Sequence, residues 1–131
     1  MQATLRVYIA DDSTLLRERL TARLAEMEGT ELVGQSGHAA QAIEEIQRLQ
    51  PDVAILDIRM PGGGGIQALA AIKKGAAPPV VIMLTAFAYP QYRIKCQAAG
   101  ADYFFDKTTE YDAVFAVLEG LRCQMRKTAA V

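Results

Sequence analysis

Short apolar runs alternate along this chain with longer segments in which apolar residues return every third or fourth position. Val53–Leu56 and Val80–Leu84 are apolar throughout, the pattern of strands covered on both faces. Leu5–Ile9 alternates and is rich in β-branched residues, Glu31–Gln35 is a shorter and weaker strand, and Asp102–Asp106 is the last. Between them lie helical spacings: Leu16, Leu20, Leu24 and Met27; then Ala39, Ala42, Ile43, Ile46 and Leu49. Ile66, Leu69, Ala70 and Ile72 follow, and later Val114, Val117, Leu118, Leu121 and Met125. A segment from about Pro90 to Ala99 is only poorly amphipathic. The punctuation agrees: Ser13 as an N-cap, Gly29, Gly75 and Gly100 as helix ends, and Pro51 as a stop. Strict alternation of strand and helix predicts one α/β domain over residues 1–131, with a core at about 4–126. Its parallel sheet is doubly wound, with helices on both faces. The tail Lys127–Val131 is expected to fray.

The strands end in polar residues. Asp11 and Asp12 follow the first, Asp57 the third, Thr85 the fourth and Lys107 the fifth. In a parallel sheet these ends share one edge, the crevice where open α/β sheets carry their chemistry. Each residue alone has a duller reading: a helix cap for Asp11-Asp12-Ser13, a solvated strand end for Asp57, a surface charge for Lys107. Together they form a set. Three carboxylates in one crevice raise one another's pKa unless a cation sits among them. Oxygen ligands without His or Cys suit a hard ion such as Mg²⁺, with Mn²⁺ as a substitute. A lysine ammonium and a threonine hydroxyl beside such an ion suit phosphate oxygens. Asp57 can then attack phosphorus as a carboxylate nucleophile.

Composition narrows the field. With 14 basic and 15 acidic residues interspersed, the net charge is −1, so no basic stripe favours direct nucleic-acid binding. No stretch approaches the roughly 18 consecutive apolar residues of a membrane span, and the start lacks the pattern of a secretory signal. The two cysteines, Cys96 and Cys123, are read as reduced thiols of a cytoplasmic protein. The single His38 is read as a helix-start or surface residue.

Asp11-Asp12, Asp57 with Met60-Pro61, Thr85-Ala86 and Lys107 resemble the motif set of response-regulator receiver domains of two-component signalling, over essentially the whole chain. The resemblance implies a flavodoxin-like (βα)5 fold with strand order 2-1-3-4-5 and the site at the switch point between the first and third strands. It implies Asp57 as phosphoacceptor and Mg²⁺ held by Asp11, Asp12, Asp57 and the backbone carbonyl of Arg59. Thr85 and Ala86 would receive the phosphoryl group and Lys107 would pair with it. The implied donor is a phosphohistidine on a sensor histidine kinase or a histidine phosphotransfer protein. The implied output runs through the fourth helix, fifth strand and fifth helix to a partner protein or an attached output domain, with a phosphorylation-linked homodimer as one form of it. The Ala99–Lys107 run looks like that of small stand-alone receivers, so a stand-alone switch, rather than an enzyme, is the expectation.

Departures from the pattern sharpen other expectations. Phe104 stands where receivers commonly carry a switch Tyr; it can still swing but has no hydroxyl to bond. Thr108 follows the lysine where Pro is usual, so no cis bond is expected there. The run Gly62–Gly65 is expected to be a mobile loop beside the site. Arg59 and Phe87, both large, occupy positions that in receivers modulate attack of water on the aspartyl phosphate. Slow self-dephosphorylation is therefore expected; a phosphoryl half-life unchanged by Arg59→Asn or Phe87→Ala would remove its basis. Two rival classes remain at this stage. An aspartate-nucleophile phosphatase would place its acids two apart on the first strand and carry a cap. A phosphorylation-independent scaffold would not need the complete set.

Overall fold

The computed structural model describes residues 4–130, and side chains through residue 125. Its strands are β1 (Leu5–Ala10), β2 (Thr30–Ser36), β3 (Val53–Leu56), β4 (Val80–Thr85) and β5 (Tyr103–Asp106). The helices are α1 (Thr14–Ala25), α2 (Ala39–Leu49), α3 (Gly65–Lys73), α4 (Pro90–Ala98) and α5 (Tyr111–Ala130). All strand pairs are parallel and the order is β2-β1-β3-β4-β5, as the resemblance implied.

The sheet divides the interior into two apolar layers because successive strand residues point to opposite faces. Tyr8, Ala54, Leu56, Val81, Met83 and Phe104 face α2, α3 and α4, meeting Ala42, Ile46, Leu69, Ile72 and Cys96. Val7, Ile9, Val53, Ile55, Ile82 and Leu84 face α1 and α5, meeting Leu20, Leu24, Val114 and Leu118. Each buried Leu or Ile contributes about 1.5–3 kcal/mol, so the central strands anchor both layers. Helix α4 contributes only Cys96 to the fully buried set, in keeping with its weak apolar pattern. Burial pushes the Cys96 thiol up to about 11, which keeps it un-ionised, whereas Cys123 is exposed.

Local chemistry explains most boundaries. The Ser13 hydroxyl accepts the Leu16 N–H at 3.2 Å and starts α1. His38 occupies the N-cap position of α2 and is exposed. Gln50, at φ 49°, closes that helix by donating its N–H to the Ile46 carbonyl.

Several boundaries differ from expectation. Helix α1 stops at Ala25 with Glu26 as its cap; Gly29 instead shapes the entry to β2, where its carbonyl accepts the Leu5 N–H at 2.8 Å. In α3 the fully buried residues include Ala68, while Ile66 and Ala70 are half-buried. Gly65 belongs to α3 and is buried, so the glycine turn ends at Gly64. Helix α5 continues through Lys127 to Ala130 where fraying was expected, and Val131 lies outside the described residues.

Strand β2 is an edge strand with an irregularity. Its register with β1 passes from Val7–Leu32 to Tyr8–Gly34, leaving Val33 as a bulged residue. Among the described residues no helix is long and apolar enough to cross a membrane.

Candidate functional site

The parallel hydrogen-bond ladders run one step past the strands and fix the backbone of the polar residues beyond. Asp11 donates its N–H to the Ser36 carbonyl, Asp57 to Ala10 and Lys107 to Thr85, each at 2.9 Å. Four strand ends thereby deliver Asp11, Asp12, Asp57, Thr85 and Lys107 to one edge of the sheet.

At that edge the Lys107 ammonium lies 2.7 Å from Asp11 Oδ2 and 2.9 Å from Asp57 Oδ2. The other oxygens are also engaged: Asp11 Oδ1 accepts the Ser13 N–H at 2.8 Å and Asp57 Oδ1 accepts the Ile58 N–H at 2.7 Å. Both carboxylates are buried, at 2% and 4% exposure, while Asp12 is exposed. Burial holds the Asp11 carboxyl above its ordinary value, with Asp57 adding to the rise and Lys107 and the Ser13 N–H opposing it. Burial pulls the Lys107 ammonium down, but its hydrogen bonds to Asp11 and Asp57 outweigh that and the net shift is upward.

One oxygen from each of Asp11, Asp12 and Asp57 can be chosen so that all lie within 4.8 Å of one another. This all-oxygen set is what a hard divalent cation requires. Asp12 would give such an ion a solvent-facing ligand, at a cluster where one ammonium serves two buried carboxylates.

The remaining predicted residues are arranged around this cluster. Thr85 is fully buried, and its hydroxyl accepts the Phe87 N–H at 3.0 Å. Ala86, next in the chain, is exposed. The Arg59 guanidinium lies 3.8 Å from the Phe87 ring centroid, so the two bulky residues touch and join the segments after β3 and β4. The Phe104 ring is 6% exposed and packs into the layer against α4, with the Arg93 guanidinium 4.6 Å above its centroid. No peptide bond among the described residues is cis, including that between Lys107 and Thr108.

The turn into α3 has a geometric reason for its glycines. Gly62, Gly63 and Gly64 take φ of 85°, 115° and 81°, a region that L-residues with side chains rarely enter. A Cβ on Gly62 would meet the His38 imidazole at 2.1 Å. Gly65 donates its N–H to the Ile58 carbonyl at 2.7 Å, and a Cβ there would sit 1.7 Å from the Asp57 carbonyl oxygen. The start of α3 therefore lies directly against the backbone of Asp57. The sequence shows the glycine run but not this contact, nor the guanidinium of Arg17 beside Asp11; both are approaches to backbone carbonyls, which no side-chain pattern marks.

Residues 7–119 match the family of response regulator receiver domains. The chain belongs to that family. This receiver domain is 44% identical over 91 residues to an uncharacterised response regulatory protein of Yersinia pestis, covering 70% of this chain and 37% of that protein. The receiver domain of the putative response regulator NarL from Mycobacterium tuberculosis superposes with a TM-score of 0.82 at 35% identity, covering 89% of this chain and 95% of that one. A chain of the CheX-CheY-BeF₃-Mg²⁺ complex of Borrelia burgdorferi gives 0.76 at 26% identity, covering 88% and 90%. The receiver domain spans between 26% and 60% of the length of the first curated relatives it matches. Membership makes it a receiver of two-component response regulators, a signalling family.

Proposed function

We propose that this receiver takes a phosphoryl group from a phosphohistidine onto Asp57. The phosphorylated form then acts on an output partner or an attached output domain through the surface of α4, β5 and α5. The observation that carries the reading is the pairing of half-buried Lys107 with the buried carboxylates of Asp57 and Asp11, with Asp12 at the open side. The donor is a sensor histidine kinase or a histidine phosphotransfer protein. In the transfer an Asp57 carboxylate oxygen attacks phosphorus, the P–N bond to the imidazole breaks, and the imidazole leaves and takes up a proton.

Asp11, Asp12, Asp57 and the backbone carbonyl of Arg59 would hold Mg²⁺, which when bound would offset the negative charge gathered around the phosphoryl oxygens. The chain's own groups supply the rest. The Ile58 N–H fixes one Asp57 oxygen, and Lys107 orients the other through its ion pair. Lys107 is also placed to follow charge from the carboxylate to the phosphoryl group. The Thr85 hydroxyl, which accepts the Phe87 N–H, can turn to donate its O–H to a phosphoryl oxygen, and releasing the Phe87 N–H frees the backbone before α4. Because α4 buries only Cys96 completely, its displacement disturbs few core contacts. Phosphorylation then acts as a population shift between two arrangements of that surface. Phe104 starts buried, and its ring can follow the threonine only by sterics, since it has no hydroxyl to anchor either position.

The test is intact mass after incubation with acetyl phosphate and Mg²⁺. A gain of about 80 Da, one phosphoryl group on a carboxylate, is expected for the wild type and is lost with Asp57→Asn or EDTA. An adduct that persists in Asp57→Asn, or none from either acetyl phosphate or a phosphohistidine protein, would sink the assignment.

A further inference from the structure

Arg17 lies in the first turn of α1 and is half-buried. Its guanidinium folds back past the helix start. Nη1 donates to the Asp11 carbonyl at 2.5 Å, Nε to the Gln35 side-chain oxygen on β2 at 3.2 Å, and Nη2 to the Thr14 hydroxyl at 3.4 Å. The same Asp11 residue is held on its other side by its N–H bond to the Ser36 carbonyl. Asp11 is thus clamped between the edge strand and a planar fork of donors, just where the chain leaves the sheet. The carboxylate of Asp12 comes next. Among the described residues none donates a hydrogen bond to it, so its place beside Asp11 and Asp57 is set through its backbone.

We infer that Arg17 is a positioning residue for the divalent cation: it fixes the Asp11–Asp12 peptide so that the Asp12 carboxylate stands within ligand distance of the other two. The inference rests on the cation reading proposed above. Arg17 touches neither phosphoryl group nor cation; it acts through the Asp11 carbonyl. Two effects of removing it have opposite signs. A guanidinium near three carboxylates repels a cation, so charge alone would make Arg17→Gln bind Mg²⁺ more tightly. Loss of positioning makes it bind more weakly, by about tenfold, the lower end of what lost outer-shell partners cost a metal site.

Gly37 offers a second handle that leaves the charge in place. A Cβ there would lie 2.8 Å from Arg17 Nη1 and 3.4 Å from both the Asp11 carbonyl oxygen and Asp12 Cα. The guanidinium is the flexible party, so Gly37→Ala displaces it from the Asp11 carbonyl. Arg17→Lys likewise keeps the charge and loses the fork.

The experiment is calorimetric titration of Mg²⁺ into the wild type, Arg17→Gln, Arg17→Lys and Gly37→Ala, with thermal unfolding in EDTA as the control for folding. Weaker binding in all three variants, near tenfold for Arg17→Gln, with unfolding still cooperative, is the expected result. Unchanged or tighter binding in Arg17→Gln overturns the positioning role. Should that variant fail to fold, Gly37→Ala decides, and wild-type affinity there overturns it equally. A wild type that takes up no Mg²⁺ defeats the cation reading itself, and this inference with it.

Discussion

Lys107→Met is expected to destabilise the metal-free protein by about 3–5 kcal/mol at neutral pH, because it leaves two buried carboxylates facing each other without a counter-charge. Folded domains are stable by only about 5–15 kcal/mol, so the urea midpoint in EDTA should fall steeply. The dependence on pH follows from the direction of the shift. Asp11 already binds its proton more tightly in the folded chain than its ordinary value of 3.8, and losing the ammonium, which opposes that rise, strengthens the tendency. A carboxyl with a raised folded pKa supports stability below the ordinary carboxylate range and loses that support as pH rises through the raised value. The gap between variant and wild type should therefore close toward about pH 4, where protons replace the missing charge. Mg²⁺ should restore more stability to the variant than to the wild type, since a cation among the acids supplies what the lysine did. Equal midpoints at pH 7 in EDTA would show that the double ion pair contributes nothing net.

Gly65→Ala should rank with it. The added methyl would overlap the Asp57 carbonyl oxygen at 1.7 Å, the Asp57 carbonyl carbon at 2.7 Å and Ile58 Cα at 2.9 Å. All three are backbone atoms of a buried segment and cannot turn aside as a side chain would. Either α3 withdraws, taking Leu69 and Ile72 out of their layer, or the Asp57 peptide moves. A loss of roughly 4 kcal/mol, at the top of the range for point substitutions, is expected, with a melting temperature lower by roughly 10–20 °C. Phosphoryl uptake should drop as well, because the displaced backbone carries Asp57, the acceptor proposed above. Gly63→Ala is the internal comparison. Its φ of 115° imposes strain, but its Cβ meets only the flexible end of Gln67, so about 1–2 kcal/mol is expected. A Gly65→Ala variant as stable as Gly63→Ala would mean that the close approach is relieved without cost.

How much of this could be read from the chain differs residue by residue. Val53–Leu56 and Val80–Leu84 announce buried strands because both sides of the sheet are covered and no polar position is needed. Asp57, Thr85 and Lys107 were legible as a group because parallel strands bring their ends together whatever the lengths between them. Ser13 was legible because capping is decided within one helical turn. Gly29 was misread as a helix end, since a glycine after an apolar spacing marks a turn without saying which element it serves. Ala68 escaped the helical reading because alanine in a sequence rich in alanine carries little directional signal. Gly65 and Arg17 were silent for another reason. Their significance lies in the Asp57 carbonyl and the Asp11 carbonyl, groups every residue possesses and no pattern reveals.

The displaced register at Val33 has a consequence for how copies of this protein meet. Strand β2 closes one side of the sheet, and an unbroken edge strand is a template on which a second chain can zip its own backbone. A strand that steps over one residue halfway along cannot be matched rung for rung by a straight newcomer. The kink thus acts as a guard against edge-to-edge fibre growth on that side of the sheet.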